Sequence, residues 1–259
     1  MRALLSFLYG LLAYLASTAT LLYFIGFSAN LWVPRSVDVG PGAGWLQAVG
    51  TDAALLVLFG VQHSVMARRG FKRWWAQLVP AVIERSTFVV ATCLVLAAMF
   101  RLWLPIDTPV VWRVEHQAIA ALLWGLFGLG WLVALVSTFL LDHFELFGLR
   151  QVYAGWTGRT AREAEFRTPL FYRYVRHPLY VGFLLSFWSV PVMTFGRLLF
   201  ALGFSAYILI GIAFEERDLL MQFGERYRAY RRQVGMLVPR GRAFRQAAAR
   251  KGAPTAAKT

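Results

Sequence analysis

Six long apolar stretches dominate this chain, at residues 4–27, 46–66, 86–104, 118–141, 179–195 and 198–214. A helix needs roughly 20 mainly apolar residues to cross a hydrocarbon core of about 30 Å, and each stretch is near that length. Lipid offers no partner to backbone polar groups, so such segments are expected as helices that satisfy their own hydrogen bonds. Composition agrees: 58% of the 259 residues are hydrophobic and 16% aromatic, more than a soluble core of this size requires. The expected fold class is all-α, a polytopic transmembrane helical bundle of about six spans. The last two stretches hold 17 residues each with only Gly196-Arg197 between them, predicting a tight helical hairpin or a pair that barely spans.

Positively charged loops are retained in the cytoplasm, so the placement of Lys and Arg sets the direction of the bundle. With the N-terminus inside, 23 of the 27 basic residues fall on the cytoplasmic side, and only Arg35, Arg101, Arg113 and Arg197 lie outside. Both chain ends are therefore expected in the cytoplasm. The net charge of +14 sits at membrane borders without any base-reading motif, which favours anionic lipid headgroups over nucleic acid as partner. Residues 1–240 read as one membrane domain, and 241–259, rich in Ala, Arg and Lys, as a disordered basic tail. The first stretch is longer than a signal-peptide core and reads as an anchor. A single cysteine, Cys93, within an apolar span, rules out an intrachain disulfide and reads as a small buried hydrophobe.

Residues 142–174 form a connection far longer than most, and loops of that size are usually functional or disordered. Phe144, Leu146, Phe147, Trp156 and Phe166 within it predict an ordered cap. It leads into Arg176-His177-Pro178-Leu179-Tyr180-x-Gly182, where Pro178 biases His177 away from helix and opens a new helix near Leu179. Free amides at such a helix start attract carboxylate groups. Tyr180 adds an aromatic face and Gly182 a place for close approach. Across one hydrophobic hairpin, Glu215 and Glu216 are expected to begin another helix, where an ionised carboxylate accepts hydrogen bonds from a ligand ammonium or hydroxyl. Leu219, Leu220, Phe223, Tyr227 and Tyr230 then recur at helical spacing among arginines, an amphipathic helix with Gly224 marking a bend or end.

The run Phe171-Tyr172-x-Tyr174-x-Arg176-His177-Pro178-x-Tyr180-x-Gly182, with Glu215-Glu216 and Phe223-Gly224-Glu225-x-Tyr227-x-x-Tyr230, resembles the C-terminal half of the isoprenylcysteine carboxyl methyltransferase group, which includes membrane phospholipid methyltransferases. The resemblance implies S-adenosylmethionine as cofactor, held by His177, Pro178, Leu179 and Tyr180, by Tyr172 and by Glu215. Arg176, Gly182 and Glu216 join them as candidate cofactor-binding residues. Gln62-His63-Ser64-Val65-Met66-Ala67-Arg68, Phe71-Lys72-Arg73-Trp74-Trp75, Ile83-Glu84-Arg85-Ser86-Thr87 and residues 142–151 resemble methanethiol S-methyltransferases, bacterial membrane enzymes that make dimethyl sulfide. The first two blocks are also similar to a membrane family associated with nitric oxide reductase operons. The likeness implies a multi-pass protein of the bacterial inner membrane acting on a small thiol. One departure is informative: where isoprenylcysteine methyltransferases carry an arginine one turn before the cofactor glutamate, this chain has Gly211, which offers no charge to a carboxylate acceptor.

A thiolate, rather than a thiol, attacks a methyl sulfonium, so a base or the sulfonium's own field has to help. His63, near the cytoplasmic end of the second stretch, and His143, just after the fourth, are the candidate bases; His116 falls on the outer side. None of the four histidines pairs at metal-ligand spacing, so no metal site is expected. Glu84-Arg85 reads as an interfacial ion pair, and Trp74, Trp75, Trp103 and Trp112 as interfacial belts. The alternatives are a prenylcysteine or lipid amine as acceptor, or a non-catalytic membrane accessory protein.

Overall fold

The computed structural model describes residues 1–159 and 166–240; the basic segment 241–259 lies outside them. Among the described residues five helices are long and apolar enough to cross a membrane: α1 (Arg2–Ala29), α2 (Trp45–Ala67), α4 (Ala81–Leu102), α5 (Gln117–Leu141) and α9 (Phe195–Gln233). Shorter helices fill the connections: α3 (Arg69–Trp75), α6 (His143–Leu146), α7 (Leu149–Thr157) and α8 (Pro178–Trp188), with a 3-10 turn at Leu170–Arg173. The protein is an all-α membrane bundle. Leu12, Leu22, Leu46, Leu94 and Leu122 are each more than half exposed on these helices, a cost in water that disappears against lipid tails.

The fifth expected span, residues 179–195, departs from a regular helix. Helix α8 ends at Trp188 after 11 residues because Pro191 cannot continue it and biases Val190 to extended backbone. The chain then runs extended into β2 (Val192–Thr194), which pairs antiparallel with β1 (Val110–Arg113) at the far end of the bundle. A helix rise of about 1.5 Å per residue and a strand rise of about 3.3 Å still carry the segment roughly 36 Å. Non-helical backbone at membrane depth is tolerated only when protein covers it. Here Val190 O accepts from Trp112 Nε1 at 3.0 Å and Pro191 O from Val114 N at 2.8 Å, and Ser189, Val190 and Met193 are buried.

At that same end Arg197 is buried rather than free. Its Nε donates to Asp38 Oδ2 at 2.5 Å and its Nη1 to Ser28 O at 3.0 Å, while Thr194 and Asn30 also donate to Asp38. This knot ties the end of α1, the loop after it and the start of α9 together.

Aromatic side chains fill the centre. Phe24, Phe27, Phe100, Trp131, Phe187, Phe200 and Phe204 pack from α1, α4, α5, α8 and α9 into one core. Helix α8 lies against α5 at closest range where Gly182 meets Gly130, and small residues are what allow such approach in a membrane. The cap predicted between α5 and α8 is ordered over α6 and α7: Val152 fills the notch at Gly10, and Trp156 stacks on Phe7 at 4.8 Å. Helix α9 runs far past the membrane span and bends at Gly224, whose φ of 52° is the break the sequence signalled.

A Cβ added at Gly182 would stand 2.5 Å from Gly130 O and 2.6 Å from Ala134 N, both backbone atoms that cannot swing aside. Gly182→Ala is expected to destabilise by about 1–3 kcal/mol through overpacking. Gly128→Ala, with nothing within 4 Å of the new carbon, should not. Thermal unfolding in detergent distinguishes them; equal midpoints would contradict the close α5–α8 contact.

Candidate functional site

The turn before α8 and the middle of α9 meet at the basic end of the bundle, opposite the β1–β2 pair. Pro178 stands at the first helical position of α8 and His177 caps it with non-helical backbone, at φ −127° and ψ 63°. Glu215 and Glu216 lie inside the continuous α9 rather than opening a helix, which corrects the sequence expectation. The apolar run simply gives way to charge without breaking the hydrogen-bond ladder, since glutamate is a good helix former.

The two carboxylates have different surroundings. Glu216 Oε1 accepts from Arg176 Nε at 2.6 Å and lies 3.2 Å from His177 Nε2, and its Oε2 lies 3.2 Å from Arg231 Nε. Its side chain is 9% exposed and that of Arg176 6%, so this is a buried pair. Arg176 Nη1 also donates to Val234 O at 2.6 Å and to Arg231 O at 3.3 Å. Arg176 is thereby committed to the protein itself, an anchor for the turn rather than a free cation.

Glu215, in contrast, is 43% exposed. Tyr180 Oη donates to its Oε2 at 3.0 Å, and His177 Nδ1 stands 3.8 Å from the same oxygen. The imidazole thus sits between both glutamates. Burial, with the negative charges of Glu215 and Tyr230 adding to it, pushes the Tyr172 phenol above its ordinary range. His177, Tyr180 and Glu215 form an acidic corner, with Tyr172 within electrostatic reach of Glu215 and with Glu216 and Arg176 behind it.

A third strand of chain closes the back of this corner. Val175 and Gly235 form an isolated parallel bridge, with Arg176 N donating to Gly235 O at 2.8 Å and His177 N to Met236 O at 3.2 Å. Arg231, Val234, Gly235 and Met236 were not singled out from the sequence. Arg231 looks like any of four arginines on that helix, and only the register after the Gly224 bend selects it. Gly182 faces α5, so its glycine serves helix packing and not ligand approach. Leu179 lies in the first turn of α8, where its amide has no intrahelical acceptor.

The candidate bases are placed apart. His143 is buried, with Nδ1 2.8 Å from Thr138 Oγ1, Nε2 3.1 Å from Tyr14 Oη, and its ring flat on Phe139 at 4.1 Å. Both nitrogens are engaged with α1 and α5, and the rings around it are those of Tyr14, Phe139, Phe144 and Phe147 rather than those of the acidic corner. His63 lies along α2, edge-on to Tyr207 of α9 at 5.9 Å. Among the described residues no group of three or more His, Cys, Asp or Glu could hold a metal ion. Lys72 and Glu84 lie 3.6 Å apart, so the expected ion pair forms with Lys72, while Arg85 Nε donates to Leu146 O.

These features define a multi-pass membrane protein with a polar, half-open site built between a buried turn and a long helix. No family model matches the chain, and no solved structure does. Curated relatives do. The chain is 52% identical over 233 residues to the methanethiol S-methyltransferase of Pseudomonas sp. (strain GM41(2012)), covering 90% of this chain and 89% of that one. It is 48% identical over 239 residues to the methanethiol S-methyltransferase of Mycobacterium tuberculosis, covering 92% and 98%. Nurim of Sus scrofa is 31% identical over 204 residues, covering 72% and 77%. The chain belongs to the methanethiol S-methyltransferase family.

Removing Glu216 strands Arg176 in a buried site, a class of change that costs about 3–5 kcal/mol. Glu216→Gln is expected to lower the unfolding midpoint sharply, whereas Glu215→Gln, half exposed, should stay within about 0.5 kcal/mol of the parent. Urea or thermal titration in detergent reads both, and equal losses would refute the division of labour between them. Burial lowers the pKa of His143 from its usual 6.5, so the unfolded chain takes up that proton first as pH falls. The contribution is complete above about pH 6.5 and is lost as pH drops towards the folded value. The decline in unfolding midpoint between about pH 7 and pH 5 should therefore be shallower in His143→Gln.

Proposed function

We propose that this protein transfers a methyl group from S-adenosylmethionine to methanethiol, forming dimethyl sulfide, at the cytoplasmic face of a bacterial inner membrane. The single observation that carries the reading is the half-open Glu215 carboxylate, flanked by Tyr180 and His177 and backed by a neutralised Glu216. A carboxylate with spare acceptor capacity suits the ammonium or ribose hydroxyls of that cofactor. The buried Tyr227 Oη, which has no hydrogen-bond partner among the described residues, lies within electrostatic reach of Glu216 and Arg176 and would offer a further polar contact. The residues present therefore fit the group.

Each residue has a part. Glu215 receives the cationic or hydroxyl end, and the amides of Leu179 and Tyr180 at the start of α8 receive a carboxylate, as helix N-termini do. Tyr172 and Tyr180 would offer aromatic faces to the cofactor's uncharged part. Arg176, Glu216 and Arg231 hold the turn rigid so that these groups stay preorganised. S-adenosylmethionine supplies an activated methyl on a sulfonium. Gly211, one turn before Glu215, adds no side chain and leaves open space, which matches a small uncharged thiol better than an acceptor carrying a carboxylate.

Purified protein in detergent should release dimethyl sulfide into the headspace from methanethiol only when S-adenosylmethionine is added. Glu215→Ala should weaken cofactor binding about 10- to 100-fold, the value of one or two hydrogen bonds to a charged group. No saturable cofactor binding in the parent would overturn the enzyme reading. Methyl ester from a farnesylated cysteine, without sulfide, would overturn the acceptor.

A further inference from the structure

Residues Phe204, Tyr207, Gly211 and Glu215 recur at helical spacing, so they share one stripe of α9. That stripe faces α2: Phe59 contacts Phe204 at 5.2 Å and Tyr207 at 5.1 Å, and His63 contacts Tyr207 at 5.9 Å. Gly211 sits between Tyr207 and Glu215, and nothing lies within 4 Å of where its Cβ would be. The stripe therefore carries no side chain at Gly211, which lies one turn from Glu215 on one side and one turn from Tyr207, the neighbour of His63, on the other. Phe59, Phe88 and Tyr207 make its His63 end apolar and aromatic.

The hydrogen bonds of Thr92 on α4 fix the state of that imidazole. Thr92 Oγ1 lies 3.0 Å from Phe88 O and 3.3 Å from His63 Nδ1. A hydroxyl has one proton, and a carbonyl can only accept, so the threonine proton goes to Phe88 O. Thr92 Oγ1 must then accept from His63 Nδ1, which carries the imidazole proton. Nε2 is left with its lone pair and has no hydrogen-bond partner among the described residues. Arg85 of α4 lies within electrostatic reach of the ring, and Tyr207 of α9 faces it.

We infer that His63 takes the proton of the acceptor thiol through Nε2, with Thr92 as the positioning residue that sets its tautomer and the open space beside Gly211 as the place where the thiol sits. This rests on the thiol-methylation reading above. The S–H bond breaks and its proton moves to Nε2, giving an imidazolium with protons on both nitrogens. The sulfur lone pair forms the new carbon–sulfur bond to the donated methyl group, while the old sulfonium–methyl bond breaks with its electron pair kept by the departing sulfur. The imidazolium then releases its proton to water, and the site is restored. An alkyl thiol with a pKa above the roughly 8.5 of cysteine gains most from such help.

Two measurements on the full chain in lipid nanodiscs test this. Nitrogen-15 spectra of the histidines, with His63 assigned by its loss in His63→Gln, should show protonated Nδ1 and bare Nε2 without any ligand. Thr92→Val should abolish that tautomer preference and Thr92→Ser should keep it. Turnover with methanethiol should fall about 100-fold in His63→Gln, the scale of general-base help, with S-adenosylmethionine affinity unchanged. With the more acidic 2,2,2-trifluoroethanethiol the loss should shrink to about threefold, because a thiol already ionised needs no base. Equal losses for both thiols, or a bare Nδ1 in the parent, would refute the role of His63 while leaving thiol methylation intact. A parent protein that fails to bind S-adenosylmethionine would overturn both.

Discussion

One buried carboxylate organises the basic end of this protein. Glu216 draws Arg176 and His177 of the turn before α8, and Arg231 from beyond the Gly224 bend, onto a single side chain. Three pieces of chain far apart in sequence become one wall. Bringing a carboxylate out of water is costly, and here the cost is offset by two arginines and an imidazole within 3.2 Å of its oxygens. The reward is geometric: once Glu216 is saturated, its neighbour Glu215 on the next position of the same helix is turned to a different face and left with capacity to spare.

The two ends of the bundle use the same chemistry to opposite purposes. At the far end Asp38 is surrounded by Arg197, Thr194 and Asn30, and the knot also engages Ser28 O. It closes off that side and fixes where α9 starts. At the basic end the matching cluster is open on its Glu215 side and bordered by the uncrowded Gly211. A long helix anchored at one end and functional at the other keeps Tyr207, Gly211 and Glu215 in strict register, which a loop cannot do.

Much of this was legible in the residues. Hydrophobic length predicted six spans, of which five are long helices and the one at 179–195 is not, and Gly224 among aromatic and basic residues gave the bend in α9. The Arg176 to Gly182 motif and the Glu215-Glu216 pair met as expected, because proline at 178 and a charge cluster after an apolar run are local signals. Other parts were not local. The short reach of α8 depends on Pro191 together with a pairing to residues 110–113, some eighty positions earlier, and hydropathy is blind to pairing. Gly182 reads as a glycine of use to a ligand until α5 is seen against it. Arg231 carries no mark that separates it from Arg228, which instead lies beside Glu225 on the exposed face.

The hydrogen bonds from Arg176 and His177 to Gly235 and Met236 also bear on how the molecule is made. Membrane helices enter the bilayer one after another while synthesis is still under way, yet the motif at 176–180 has to wait for a segment about sixty residues further along. A nascent chain with all its helices inserted would still have an unfinished acidic corner. Maturation of the site is thus separated in time from insertion of the bundle, and the ribosome would have to let go of residue 236 before the last wall could dock.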